Sequence, residues 1–269
     1  GAVAKWAGIA ILLGLAAYLA YGSAELVLSL PVKEWDSLLA QTPFLLLSMG
    51  ADYLRVFLVA GAALVVSITL GYYLATHPRA NAVIAPVIQT VAAYPAPTYF
   101  PLLVGATIGF LVTAFPFGYV ELYVFILGFL SCFYYVFFDF WIGVLAIPSE
   151  FWEVMDNHEL GFRQRMRRVI LPATFPYLIT GISSTINSAW AGIAIAEFWP
   201  DIVGNRTLVV KIGMMKFIGE NLASGNTAAA AWVSVLFAVV VVFYGIFFTR
   251  NLMDLARRRY VVEEGVYAG

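Results

Sequence analysis

Six long apolar stretches constrain this chain more than any other feature of its sequence. A bilayer core of about 30 Å is crossed by about 20 apolar residues in an α-helix. The sequence contains six stretches that meet this requirement, at residues 3–21, 53–76, 83–112, 121–147, 171–199 and 228–249. Runs such as VLFAVVVVFYGIFF lack the two-residue alternation of a membrane β-barrel. We therefore predict an all-α, polytopic membrane bundle of about six transmembrane helices that forms a single domain, 1–269.

The composition excludes several classes of protein. Only 12% of the 269 residues are charged and 62% are hydrophobic, whereas a soluble domain carries about 25% charged residues. The formal net charge of −1 provides no basic surface for nucleic acid. Cys132 is the only cysteine, so a disulfide framework is excluded as well. The lipid bilayer is the expected surrounding, and no nucleic acid is expected as a partner.

The distribution of Lys and Arg predicts the orientation. If both termini, the turn 76–81 and the loop 148–168 share one side, that side holds ten of the fifteen basic residues: Lys5, Arg79, Arg163, Arg165, Arg167, Arg168, Arg250, Arg257, Arg258 and Arg259. Cytoplasmic loops carry an excess of Lys and Arg. We therefore expect a multi-pass protein of the plasma or inner membrane with cytoplasmic N- and C-termini. Residues 31–50 are interpreted as a surface helix or loop on the outer side.

The cytoplasmic loop 148–170 between the fourth and fifth stretches is longer than a connector requires. Ser149 can cap a helix whose first turn carries Glu150 and Glu153. Apolar and aromatic side chains follow at helical spacing: Phe151, Val154, Met155 and His158. Gly161 is a candidate C-cap. The loop predicts a short amphipathic helix outside the membrane, and a helix that rests on anionic headgroups is the alternative interpretation.

This loop resembles the EAA loop of the inner-membrane permease subunits of type I ABC importers. That pattern reads E-A-A-x-x-x-G, about nine residues, then V/I-x-L-P; here Glu153 matches the acid and Val169 precedes Leu171-Pro172. Val154 and Met155 replace the two alanines. Glu159 stands where glycine is usual, and a glycine follows two residues later at Gly161, so either residue could form the tight turn. The segments TVAAYPAPTYFPLL and ATFPYLITGISSTINSAWAGIAIAEFWP are similar to spans of nitrate-, sulfonate- and taurine-type permeases.

The resemblance implies a set of partners. Two permease halves form a pore, and the second half could be identical, fused or a paralogue. Two cytoplasmic ATPase subunits each receive one coupling helix, and an extracytoplasmic solute-binding protein delivers the solute. The residues implied in ATPase coupling are Ser149, Glu150, Glu153, Val154, Asp156, Asn157, Glu159 and Gly161. ATP and Mg²⁺ are expected at the partner subunits only, because this sequence contains no G-x-x-x-x-G-K-[ST] phosphate loop.

Polar residues within the apolar stretches are candidates for the translocation pathway, because charged groups in a membrane are costly and usually functional. Asp139 and Glu197 are the two acids within spans, and Glu197 could also be a solvated helix-end charge. Small and polar side chains of the fifth span suit either close helix packing or a passage for a polar solute. The candidate pathway residues are Pro97, Ser184, Asn187, Ser188, Trp190 and Glu197. The spacing Gly105-Ala-Thr-Ile-Gly109 is typical of a helix contact.

The sequence offers no catalytic centre and no metal-binding constellation, since its two histidines lie far apart in predicted loops. The favoured interpretation is the permease subunit of an ATP-driven ABC importer for a small polar, anionic solute, and not an enzyme. A secondary transporter driven by an ion gradient would need mirrored sets of ion ligands. A structural membrane subunit of a larger complex is the other alternative.

Overall fold

The computed structural model describes residues 2–203, 206–251 and 254. Its helices are α1 (Ala2–Leu28), α2 (Val32–Thr76), α3 (Pro78–Ala93), α4 (Ala96–Ala114), α5 (Tyr119–Leu145), α6 (Ser149–Asn157), α7 (Phe162–Arg165), α8 (Leu171–Glu197), α9 (Met214–Ala223) and α10 (Thr227–Tyr244). π-helical turns occur at Met166–Ile170 and Gly245–Thr249, and two short strands are β1 (Phe198–Val203) and β2 (Arg206–Val209). Among the described residues, six helical segments are long and apolar enough to cross a membrane. The prediction of an all-α polytopic bundle is confirmed.

Two of the predicted spans differ from the helices. The span expected over 83–112 is two helices, α3 and α4, which are separated at Tyr94 and Pro95. Tyr94 has an extended backbone (φ −85°, ψ 127°), because a residue that precedes proline is disfavoured in the helical region. The span expected to begin at residue 53 belongs to α2, a continuous helix of 45 residues from Val32. Residues 31–50, which were expected to form a surface helix or loop, are thus helical from Val32 onward and continue into the span without a break.

The most extensive helix contact in the described bundle is between α5 and α8. A Cβ atom built on Gly181 would lie 2.8 Å from the Val136 Cα atom, and one built on Gly192 would lie 2.6 Å from the Ser131 Cβ atom. Small residues at helix crossings allow the backbones to approach closely in this way. The predicted contact motif around Gly109 behaves differently, because a Cβ atom there would meet no atom within 4 Å of the described chain.

Hydrogen bonds also connect α5 and α8. The Thr185 hydroxyl donates to the Cys132 carbonyl oxygen (3.3 Å) and accepts from the Val136 amide (3.2 Å). The Ser188 hydroxyl donates to the Ser131 carbonyl oxygen at 2.9 Å. The polar patch of α8 thus serves helix packing at two positions, which is one of the two uses that the sequence left open.

A β-hairpin and α9 close one end of the bundle, in the region that was expected to be an outer loop. β1 and β2 pair antiparallel, with Trp199 opposite Leu208. Leu208 is buried with side chains of α4 and α5, and Met214 at the start of α9 is buried with Leu45 and Met49 of α2. The predicted orientation also used Arg257, Arg258 and Arg259, which lie outside the described residues.

Candidate functional site

The loop between α5 and α8 contains α6, as the amphipathic pattern predicted. The residue that precedes α6 is Pro148, and no side chain caps the helix. Ser149 is instead the first helical residue, so its predicted role as the N-cap was wrong. Glu150 lies in the first turn, where an acid is favoured by the helix dipole.

One face of α6 is anchored to the bundle and another is free in the described chain. Met155 has no exposed surface and packs in a buried cluster with Ile170 of the π-helical turn, and Trp152 packs against the same cluster. Phe151 and Val154 are 53% and 51% exposed. The predicted single apolar stripe is thus divided between two faces of α6. Trp152 and Met155 pack against the bundle, whereas Phe151 and Val154 lie on the exposed face.

The C-terminus of α6 is a Schellman motif with Glu159 in the left-handed region. The Glu159 φ angle is +49°. The Leu160 amide donates to the Met155 carbonyl oxygen (3.0 Å) and the Glu159 amide donates to that of Asp156 (2.9 Å), which are the two hydrogen bonds of this motif. Gly161 has a φ angle of −66° and precedes α7. The tight turn therefore falls on the residue that aligns with the glycine of the EAA pattern, and the prediction of Gly161 as the C-cap was wrong.

Arg165 fixes this turn to the next helix. Its Nε atom donates to the Leu160 carbonyl oxygen at 2.7 Å, and its Nη2 atom lies 2.7 Å from Asp156 Oδ1. The π-helical turn that follows α7 precedes Pro172, whose missing amide hydrogen prevents a regular helical hydrogen bond. The segment 149–160, which we call the coupling segment, is thus joined to α8 without a flexible linker. Of the other predicted coupling residues, Glu153 and Asn157 are exposed.

A second candidate site is a cavity of about 480 Å³ at the break between α3 and α4. We call it the break cavity. Its walls come from the break, α5 and α8, and its lining includes Tyr94, Pro95, Pro97, Ser131, Tyr134, Tyr135, Phe138, Asp139, Ser188 and Gly192. Of the predicted pathway residues, Pro97 and Ser188 are in this lining.

The other predicted pathway residues lie elsewhere. Asn187 is exposed on α8 and Ser184 is partly exposed there. Trp190 packs edge-on against Tyr53, with ring centroids 4.7 Å apart, and against Phe237. The structure thus does not bring the six predicted residues together into one site.

Glu197 belongs to a cluster of ionic side chains that we call the Arg55 cluster. Arg55 Nη1 lies 2.8 Å from Asp52 Oδ1 and 3.0 Å from Glu197 Oε1. Its Nη2 and Nε atoms donate to the two carboxylate oxygens of Glu121, at 2.6 and 2.9 Å. Asp52 and Glu197 are buried, with side chains 2% and 0% exposed, whereas Glu121 is half exposed.

The N-terminus of α9 completes the Arg55 cluster. The Met214 amide donates to Asp52 Oδ2 (2.8 Å) and the Met215 amide donates to Glu197 Oε2 (3.2 Å). A Cβ atom on Gly213 would lie 2.6 Å from Glu197 Oε2, so this approach requires a glycine. Sequence reasoning missed the cluster, although the i, i+3 spacing of Asp52 and Arg55 was a signal for an ion pair.

Across the described residues, no group of three or more His, Cys, Asp or Glu side chains could hold a metal ion. The candidate sites are an exposed helix, a cavity between helices and a buried ion cluster.

Comparisons with known proteins agree with this architecture. The sequence profile of the family described as "Binding-protein-dependent transport system inner membrane component" matches residues 67–262. A Bacillus subtilis (strain 168) protein named as an aliphatic sulfonates transport permease, SsuC, is 27% identical over 124 residues. The alignment covers 46% of this chain and 42% of that protein.

Proposed function

The chain belongs to the family of binding-protein-dependent transport system inner membrane components and is a permease of the type I ABC importer class, and we propose that cytoplasmic ATPase subunits drive it through the coupling segment. In this proposal ATP and Mg²⁺ bind to two ATPase subunits. A second permease half completes the pore, and an extracytoplasmic solute-binding protein delivers the solute. Both termini face the cytoplasm of a plasma or inner membrane, which the exposed Arg163, Arg167 and Arg168 beside the coupling segment support.

The observation that carries the proposal is the divided surface of α6. Phe151 and Val154 are more than half exposed beside the exposed Glu153, whereas Met155 on the neighbouring face is fully buried. An exposed apolar pair with a charged neighbour suits insertion into a cleft of a partner protein. The anchored face supplies the stiffness that a moving partner needs in order to push α8.

The alternative interpretation of α6 is a helix that rests on lipid headgroups. An interfacial helix keeps a wide apolar face available for the membrane. Here Trp152 and Met155 are used by the bundle itself, and the remaining apolar pair is flanked by acids, which anionic headgroups repel. These contacts support docking of a protein over adsorption to lipid.

Two classes of solute, anionic and not negatively charged, are each supported by a specific observation. The sequence resemblance and the name of the Bacillus subtilis relative favour a small polar anion. The lining of the break cavity, which includes Asp139, favours a solute without negative charge. In either case the chain forms the pathway and carries out no chemical reaction on the solute.

Charge reversal at Glu153 tests the coupling proposal. We expect Glu153→Lys to insert and fold, to lower co-purification of the ATPase at least tenfold, and to abolish ATP-dependent uptake, since a new positive charge opposes the docked surface. The measurements are ATPase recovery with the membrane chain and solute uptake in proteoliposomes.

The matched control is Glu34→Lys, an identical charge change at an exposed site on the first turn of α2. This control should retain ATPase binding and uptake. Normal ATPase recovery and uptake in Glu153→Lys would contradict the coupling role of this segment.

A further inference from the structure

The break cavity has the size and position of a small-molecule site. Its volume of about 480 Å³ lies in the range of 300–1,000 Å³ that is typical of such sites. It lies where the extended backbone of Tyr94 and Pro95 separates α3 from the candidate membrane span Ala96–Ala114. Tyr135 in its lining is half exposed, so the cavity is open to the surface of the described chain.

The lining of the cavity combines one carboxylate with several aromatic rings. Asp139 carries the one formal charge among the described lining residues. The aromatic members are Tyr94, Tyr134, Tyr135 and Phe138, and hydroxyl groups come from Ser131 and Ser188. A carboxylate beside aromatic rings attracts cations, because the ring face is negative and contributes a cation–π interaction.

The carboxylate of Asp139 has no hydrogen-bond or ion-pair partner in the part of the chain that the structure describes, in contrast to Glu197. Gly181 of α8 leaves room for this side chain, since a Cβ atom at that position would lie 3.2 Å from Asp139 Oδ2. An unpaired carboxylate on a spanning helix is costly. A bound cation would offset that cost, whereas a bound anion would add repulsion.

We propose that the break cavity is the solute-contact site of this permease and that it takes a small organic cation, such as a protonated amine or a quaternary ammonium. Asp139 pairs with the positive charge, and the rings of Tyr134 and Tyr135 contact the cationic head or its apolar substituents. This inference rests on the proposed transport function and gives the cargo a charge opposite to the one that the sequence resemblance implies.

Three probes of similar size and different charge test the proposal: benzyltrimethylammonium, benzenesulfonate and benzyl alcohol. Binding is measured by equilibrium dialysis to the full chain in nanodiscs, without ATP, ATPase or solute-binding protein. We expect wild-type protein to bind benzyltrimethylammonium at least tenfold more tightly than benzenesulfonate. A preference for benzenesulfonate would overturn the proposal without the need for any variant.

Matched variants assign the preference to the cavity. Asp139→Asn should weaken binding of benzyltrimethylammonium about tenfold and leave that of benzyl alcohol within about twofold. Asp36→Asn, an exposed carboxylate of α2, should change neither. Tyr135→Phe keeps the ring and should retain cation binding, whereas Tyr135→Leu should weaken it severalfold.

The remaining outcomes are also decisive. Unchanged cation binding in Asp139→Asn would place the cation elsewhere and overturn the assignment. If Asp139→Asn also loses binding of benzyl alcohol, the substitution has disturbed the cavity itself, and Asp139→Glu becomes the test. This variant keeps the negative charge, so it must bind the cation if the proposal is correct. All of these measurements omit the ATPase, so their failure would leave the Glu153 experiment and the coupling proposal intact.

Discussion

Two carboxylates on membrane-spanning helices, Glu197 of α8 and Asp139 of α5, lie in opposite surroundings. Glu197 has no exposed surface, pairs with Arg55 at 3.0 Å and accepts a hydrogen bond from the Met215 amide. Asp139 is partly exposed on the wall of the break cavity, and no described residue pairs with it. Glu197 is thus compensated within the chain, whereas Asp139 is open to a ligand.

The comparison distinguishes a carboxylate whose charge is compensated within the fold from a carboxylate whose charge is available to a ligand. A buried ion pair resists the loss of either partner, because the remaining charge stays desolvated and uncompensated. An unpaired carboxylate at a cavity adds no pairing energy to the fold and remains free to attract a cation. From sequence alone Glu197 was the candidate for the pathway, and the geometry now favours Asp139. The role of Glu197 in translocation stays a prediction.

The largest expected effect comes from Arg55→Met, which removes the cation shared by three carboxylates. Asp52 and Glu197 would remain buried without their guanidinium partner, while the amides of α9 still donate to them. Breaking a buried ion pair by loss of one partner costs about 3–5 kcal/mol. We expect a loss of this size in the free energy of unfolding, measured by SDS titration in mixed micelles.

Arg79→Met provides the control for this change, since Arg79 is an exposed residue of α3. It should alter the free energy of unfolding by less than about 0.5 kcal/mol. An equally small effect of Arg55→Met would remove the structural role that we assign to the Arg55 cluster.

Truncation of the two carboxylates tests the comparison directly. Glu197→Ala should cost about 2–3 kcal/mol, because Arg55 and the Met215 amide each lose a buried charged partner. Asp139→Ala should not lower the free energy of unfolding, since it removes a carboxylate that no described residue pairs with and that is unfavourable on a spanning helix. The same SDS titration measures both variants, and similar costs for the two truncations would contradict the distinction between them.

Several of the long apolar helices were predictable from the sequence. The prediction of 121–147 corresponds to Tyr119–Leu145, and that of 171–199 corresponds to Leu171–Glu197. The apolar length needed to cross lipid sets these boundaries. The break at Tyr94 was obscured for the same reason, because the apolar run continues through it. Pro95, Pro97 and Pro101 fall within seven residues and can kink a helix, but the hydropathy of the run does not show where helical hydrogen bonds stop.

Long-range pairing was not predictable. Arg55 contacts acids 66 and 142 residues away in the chain, and no local spacing reveals such partners. The end of α6 was an intermediate case. The sequence left Glu159 and Gly161 as alternatives for the tight turn, and the packing of Leu160 beside Met155 in one apolar cluster accompanies the turn at Glu159. A hydrophobic contact of this kind commonly accompanies the Schellman motif.

The smallest expected loss of stability concerns Gly181, which faces Asp139. In Gly181→Ala the added methyl group would lie 2.8 Å from the Val136 Cα atom and 3.1 Å from the Asp139 Cβ atom. The first of these atoms is backbone, so α5 and α8 must separate slightly, and overpacking of this kind costs about 1–3 kcal/mol. Because the cost is expected near the lower end of that range, SDS titration should give about 1–2 kcal/mol.

Gly109→Ala is the control, since its methyl group meets no atom within 4 Å, and it should not lower stability. If Gly181→Ala were as harmless as this control, α5 and α8 could separate at no cost, and the fixed placement of Asp139 at the break cavity would lose its support.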